Sequence, residues 1–251
     1  KSVKDSIDNP LKYYEVNITI TLNLLSMVKK YKIRNFIFSS SATVYDKKSK
    51  LPWSEKSRTE FSDHPYGSSK LINEKLLEYF YNKNKNFSFG ILRYFNPAGV
   101  HKSYLIGEDP KSQSSNLVPN IIKYLLGKIK FISIYGNKYE TKDGTAVRDY
   151  IHISDLIRGH MLAFNFILNN KGFNIWNLGS GEGYSVMDIL HSFEKQLKKR
   201  IKNRKAPPRK GDLPKFWADI KKAEKELGWT PKKNFNDIAI DTINYVKKLN
   251  K

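Results

Sequence analysis

Apolar positions along this 251-residue chain fall alternately into helix-like and strand-like runs. Leu11 to Lys32 carries apolar residues at helical spacing, and Asn9-Pro10 ahead of it puts proline at the first helical position, where its missing N–H costs nothing. Asn35 to Ser40 is a short apolar run that reads as a buried strand. Pro65 opens a second long helix to about Tyr81, and Phe87 to Arg93 is a second strand. Strands alternating with helices imply a parallel sheet with right-handed crossovers.

After Asn96-Pro97 the rhythm loosens. A long loop from Gly99 to Ser115 leads to a helix over Leu117 to Leu126, then a strand over Phe131 to Tyr135. A helix from Ser154 or Asp155 to Leu168 precedes a strand over Phe173 to Leu178. Ser185-Val186-Met187-Asp188 resembles a capping box that opens another helix. Pro207-Pro208 marks a loop, and two short terminal helices flank Thr230-Pro231. The expected fold is α/β: a Rossmann-like parallel sheet followed by a smaller C-terminal α/β lobe. The division expected is 1–98 for the first domain and 99–251 for the second, some of whose segments return to the first.

Composition narrows the classes. Hydrophobic residues make up 39%, enough for a core, and no apolar run reaches the ~18 residues of a membrane span. The start, KSVKDSIDNP, does not resemble a signal peptide. Cysteine is absent, which excludes disulfides and thiolate metal sites. The default expectation is a cytoplasmic enzyme with no membrane partner. The net charge of +21 invites a nucleic-acid reading. The lysines, however, are spread along the whole chain between apolar positions, as on solvated faces, so no specific nucleic-acid partner is expected. The densest run, Lys198 to Lys210, reads as a solvated helix end and loop.

The most informative local feature is Tyr66-Gly67-Ser68-Ser69-Lys70. On a helix, positions 66 and 70 share a face. An ammonium beside a phenol favours the phenolate, which predicts a lowered Tyr66 pKa and a general base usable near neutrality. The spacing alone occurs by chance. Ser39-Ser40-Ser41 adds specificity, because these residues sit at the carboxyl end of a strand, where ligands of open α/β sheets bind. Ser41 lies 25 positions before Tyr66.

With FSSSATVY, HPYGSSK and LRYFNPAG in place, the chain resembles the extended short-chain dehydrogenase/reductase family. Within it, the chain is similar to the 4-epimerases acting on UDP-glucose and UDP-galactose. The likeness continues through EDP, NLVP, IYGN, DGTAVRDYIHISDL, NLGSG and RKGDLPKFWAD, over nearly the whole chain. It implies NAD as cofactor, no catalytic metal, and catalysis by Ser41, Tyr66 and Lys70. Tyr66 would take the proton of the sugar 4-hydroxyl, Ser41 would bridge that hydroxyl and Tyr66, and Lys70 would tune Tyr66 and hold the nicotinamide ribose. The resemblance places Lys1, Asn17 and Phe95 near NAD, and Asn96, Asn116 and Leu117 against the substrate. Ser133, Ile134 and Tyr135 would lie along the uridine. Arg148 and Arg209 would neutralise the diphosphate, which guanidinium geometry suits, and Asp212 would bind the uridine ribose. Phe216 would limit room beside the sugar 2-substituent. Two long helices per subunit would form a homodimer interface.

The chain departs from that pattern at its front. A dinucleotide site needs a glycine-rich turn after a first strand, and no G-x-x-G-x-x-G or G-x-G-x-x-G occurs. Gly179-Ser180-Gly181-Glu182-Gly183 comes too late to be that turn. The resemblance implies about 80 residues ahead of Lys1, including the first strands of the sheet. Three alternatives follow: a binding fragment without turnover, a 4-epimerase for another UDP-sugar, and a sugar-nucleotide dehydratase. The last needs an Asp-Glu pair after the strand-end serine or threonine, whereas Ser41 is followed by Ala42-Thr43.

Overall fold

The computed structural model describes residues 3–108, 116–209 and 211–250. Along the chain run α1 (Val3–Asp8), α2 (Pro10–Lys30), β1 (Asn35–Ser41), α3 (Pro65–Lys83), β2 (Ser88–Tyr94), β3 (Asn96–Ala98), α4 (Leu117–Leu125) and β4 (Ile132–Tyr135). There follow β5 (Val147–Arg148), β6 (Tyr150–His152), α5 (Ile153–Asn169), β7 (Phe173–Leu178), β8 (Tyr184–Ser185) and α6 (Val186–Leu197). The chain continues with β9 (Asn203–Ala206), β10 (Lys215–Phe216), α7 (Lys221–Leu227) and α8 (Phe235–Leu249).

The long elements follow the hydrophobic pattern, with proline at the first turn of both α2 and α3. α2 stops at Lys30, two residues short of the expected end, because Lys32 turns left-handed at φ 52°. Ser185 and Asp188 form the expected capping box, each side chain bonded to the other's backbone N–H at 3.0 Å. Of the terminal helices, α8 is not short: it runs 15 residues, opened by a second capping box, Asn234 with Asp237. The short strands β3, β5, β6, β8, β9 and β10 have two to four residues each and carry no period that a sequence reading can detect.

The chain divides into two compact units. The first comprises the chain up to Tyr94 with Ile157–Leu178 and Asp219–Thr230. Its sheet is wholly parallel, in the order β1-β2-β7, with Ser41 opposite Tyr94 and Tyr94 opposite Leu178. β2 is central and buried from Ser88 to Arg93, as expected of a parallel strand covered on both faces. Leu25 of α2 and Leu77 of α3 meet Phe89 and Ile91 of β2 in one core, ringed by Phe80, Tyr81 and Phe173. Asn177, wholly buried in β7, ties the returning segments to this unit. Its amide nitrogen donates to Trp53 O (2.8 Å) and Asp219 O (3.2 Å), its N–H to Glu55 (2.7 Å), and its oxygen accepts from Tyr45 (2.6 Å). Every polar atom of that side chain is thus satisfied, which is what makes its burial tolerable.

The second unit comprises Phe95–Leu156, Gly179–Ala218 and the chain from Pro231. Among the described residues it holds three small sheets, β10-β5-β8, β3-β6 and β4-β9. Their apolar sides and α4, α6 and α8 share a core that includes Ile121, Ile132, Ile189, Phe193, Phe235 and Ile238.

Candidate active site

In the first unit, two local devices aim the chemistry-bearing side chains. His64 caps α3, its Nδ1 accepting the Gly67 N–H at 3.0 Å. Gly67 has no room for a side chain, since a Cβ there falls 2.6 Å from Ser62 Cβ. The helix therefore starts in one register, and Tyr66 and Lys70 stand one turn apart on one face. Ser41 ends β1 and caps a short 3₁₀ turn, accepting from Thr43 N at 3.3 Å and Thr43 Oγ1 at 3.0 Å. Its own O–H remains to donate, and its influence on the Tyr66 phenol favours the phenolate.

Lys70 corrects one expectation. Its Nζ donates to Ser39 O at 2.8 Å and sits 5.9 Å from the Tyr66 ring centroid. The Tyr66 pKa is raised, not lowered: burial outweighs the Ser41 hydrogen bond, which alone pulls it down. Burial also lowers the Lys70 pKa, against the attraction of Glu74. Because the Ser41 bond lowers the Tyr66 pKa, its loss raises it. Ser41→Ala is therefore expected to move the acid limb of the kcat–pH profile to higher pH as well as to reduce kcat. An unshifted limb would separate Ser41 from the ionisation of Tyr66.

Behind this face lies a buried ion pair absent from the sequence reading. Glu74 accepts two bonds from Arg93, at 3.0 and 2.6 Å, and a third from Ser40 Oγ at 2.5 Å. The two charged side chains are only 5% and 4% exposed. Glu74 follows Lys70 by one turn and Tyr66 by two, and that helical spacing was the signal available in the sequence. Asn17 donates to Ser69 Oγ at 2.9 Å, and Ser69 in turn to Tyr66 O at 2.8 Å, so Asn17 braces α2 against the start of α3. Tyr94, ending β2, donates to Ser39 Oγ at 2.7 Å and pairs with His160. Lys1 lies outside the described residues.

The second unit gathers a different set. Asp149 is wholly buried. One carboxylate oxygen accepts from Ser180 N and Oγ (2.6 and 2.7 Å), the other from Gly181 N and Ala218 N (3.1 and 3.0 Å). Gly179 keeps the approach open, for a Cβ there falls 2.4 Å from Asp149 Oδ2. This knot, also missed in the sequence reading, fixes β5 between β8 and β10 and brings Arg148 opposite Phe216. The Arg148 guanidinium stacks 4.6 Å from the Phe216 ring and pairs with Asp212. Phe95 lies 6.1 Å from Phe216, ring to ring, and Arg209 lies 4.1 Å over Tyr135. Asp212 N–H donates to Arg209 O at 3.1 Å, so one turn carries both residues.

The remaining candidates are less clustered. Ser133 meets Arg204 at 3.4 Å, and Ile134 is buried in the core, so only its backbone is open to a ligand. Asn116 caps α4 without a side-chain cap bond, and Leu117 packs on the core. Asn96 N–H donates to Asp149 O at 3.0 Å.

A parallel strand ending in serines, followed by a helix with tyrosine and lysine one turn apart, marks a short-chain dehydrogenase/reductase. Residues 1–242 match the family described as GDP-mannose 4,6 dehydratase. The chain is 42% identical over 248 residues to UDP-glucose 4-epimerase of Yersinia pestis, covering 99% of this chain and 73% of that protein. The structure of the Bifidobacterium longum UDP-glucose 4-epimerase with NAD+ and UDP superposes with TM-score 0.94 at 42% identity, over 99% of this chain and 74% of that one. The Stenotrophomonas maltophila UDP-glucose-4-epimerase, with NAD and formylated UDP-arabinopyranose, gives 0.96 at 37% identity, over 100% and 74%. The chain belongs to the GDP-mannose 4,6 dehydratase family and, within it, to the UDP-glucose 4-epimerases.

Proposed function

We propose that this chain interconverts UDP-glucose and UDP-galactose by inverting the sugar C4. The observation that carries this is Ser41 at the carboxyl end of a parallel strand, where its side chain acts on the Tyr66 phenol, with Lys70 one turn along the same helix face and bonded to Ser39 O of that strand. NAD, when bound, supplies the hydride acceptor and donor at C4. The donor set around Lys70 suits the nicotinamide ribose: the ammonium has three N–H groups, one of which holds Ser39 O, leaving two for ribose hydroxyls. Lys70, Tyr66 and Ser41 are thus the residues that would hold that end of the cofactor.

Tyr66 Oη accepts the proton of the sugar 4-hydroxyl as C4 is oxidised and returns it when the 4-keto sugar is reduced on its other face. The Ser41 hydroxyl steers that proton by bonding both oxygens, and it supports the developing phenolate. In the second unit, Arg148 and Arg209 neutralise the diphosphate, and Asp212 serves the uridine ribose. Stacking on Phe216 and Tyr135 pre-orients the two guanidinium planes, so less order is lost when the anion binds.

The test is incubation with UDP-galactose and NAD, followed by chromatography of the sugar nucleotides. UDP-glucose must appear, and absence of turnover with retained UDP binding would favour the binding-fragment alternative. Phe216 sets the sugar range: Phe216→Ser is expected to improve use of UDP-N-acetylglucosamine relative to UDP-glucose, and an unchanged ratio of kcat/KM would remove it as the gate. We further propose a cytoplasmic homodimer. Among the described residues no helix is long and apolar enough to cross a membrane. Leu11, Ile20, Leu24 and Met27 of α2 and Tyr79 of α3 are exposed apolar residues suited to a partner. A monomer mass in sedimentation equilibrium would refute the dimer.

A further inference from the structure

The loop from Gly136 to Ala146 joins β4 to β5 in the second unit, between Tyr135 and Arg148. It is tightly braced. Gly136 N–H donates to Ala206 O and Tyr139 N–H to Gly144 O, each at 3.0 Å. Thr141 Oγ1 donates to Thr145 O at 2.7 Å. Asp143 accepts from Thr145 N at 2.8 Å, Thr145 Oγ1 at 2.6 Å and Ser185 Oγ at 2.5 Å. A loop held at so many points presents its side chains in fixed directions.

The side chain it presents is Tyr139. Its ring occupies the space a side chain at Gly136 would need: a Cβ there falls 2.4 Å from Cε2 and 2.8 Å from Oη. Gly136 also holds φ at +75°, so glycine serves twice, for the backbone turn and for seating the phenol. The phenolic oxygen is buried and has no hydrogen-bond partner. Such an orphan is unfavourable by about 1–3 kcal/mol, a cost that buys nothing for the chain alone. The charged groups that act on this hydroxyl are Asp212, Arg148 and Arg209. Two of them are the cations assigned above to the diphosphate.

We infer that Tyr139 is a further substrate-binding residue, whose Oη donates a hydrogen bond to a phosphate oxygen of the nucleoside diphosphate. This rests on the UDP-sugar reading above. A phenol complements the guanidinium groups because it adds a directed donor without adding charge. Arg148 is already paired with Asp212, so a neutral donor supports the anion without disturbing that pair. The braced loop fixes the ring, so binding has only to displace what covers the hydroxyl and need not order the donor itself.

Titration calorimetry of the whole protein with UDP, UMP and uridine tests this, using the wild type, Tyr139→Phe and Gly136→Ala. Tyr139→Phe is expected to weaken UDP about tenfold or more, the scale of a lost bond to a charged group. It should leave uridine affinity unchanged and leave the melting temperature equal or higher, since a buried orphan is removed. Gly136→Ala, which displaces the ring, should repeat the UDP loss with a lower melting temperature. Wild-type affinity for UDP in Tyr139→Phe would overturn the inference, as would equal losses for UDP and uridine. If the wild type binds neither UDP nor UMP, the UDP-sugar reading itself falls, and the inference with it.

Discussion

Replacing Tyr66 with phenylalanine is expected to lower kcat for UDP-galactose by about 10²- to 10⁴-fold, the range ascribed to a positioned proton-transfer group, while UDP affinity stays at the wild-type value. The two effects separate because the substitution removes one oxygen and keeps the ring. That ring packs edge-on against Tyr13 at 6.5 Å and stacks with His64 at 6.3 Å, and phenylalanine preserves both contacts. Arg148 and Arg209, proposed for the diphosphate, and Asp212, proposed for the uridine ribose, belong to the other unit and are not altered. Stopped-assay kinetics and UDP titration on the same preparation check the prediction. Turnover near wild type would remove Tyr66 Oη from the proton path.

The largest expected effect on stability comes from the Glu74–Arg93 pair. Glu74→Leu strands a guanidinium that is 4% exposed on its side chain, together with the Ser40 hydroxyl that now donates to Glu74. Breaking a buried pair by removing one partner costs about 3–5 kcal/mol, because the remaining charge has no compensation. Arg93 also stacks 4.8 Å from the Tyr45 ring, and Tyr45 holds Asn177, so the loss spreads across β1, β2 and β7. The double variant Glu74→Leu/Arg93→Met removes both charges and should recover much of the loss. Equilibrium denaturation of both variants measures this. A single variant as stable as the wild type, or a double variant no better than the single, would contradict the account of the pair.

Much of this was legible in the sequence, for physical reasons. α2, α3, β1 and β2 are long enough to display a period, and proline at Pro10 and Pro65 marks two starts without ambiguity. Tyr66 and Lys70 share a face by helical geometry alone, and Ser41 sits at a strand end because its run of apolar residues stops there. What the sequence could not carry was the balance of forces on Tyr66. Proximity of an ammonium predicts a lowered pKa, whereas burial of the phenol raises it and outweighs the lowering influence of Ser41. Nor could it show that Asp149, beside Arg148 in the chain, turns inward to four donors while Arg148 finds Asp212, 64 residues away. Strands of two or three residues such as β5 and β10 exist only because that knot aligns them. The unpartnered hydroxyl of Tyr139 is likewise a property of packing that spacing does not encode.

The measurement that bears most directly on the central claim is conversion of UDP-galactose carrying deuterium at sugar C4, with NAD present, followed by mass spectrometry and NMR of the UDP-glucose formed. Oxidation and reduction at the same carbon predict UDP-glucose that keeps its deuterium at C4 in ordinary water. Product in which C4 has exchanged its deuterium for solvent hydrogen would mean inversion by removal of a carbon-bound proton, and the roles assigned to Ser41, Tyr66 and Lys70 would fail together.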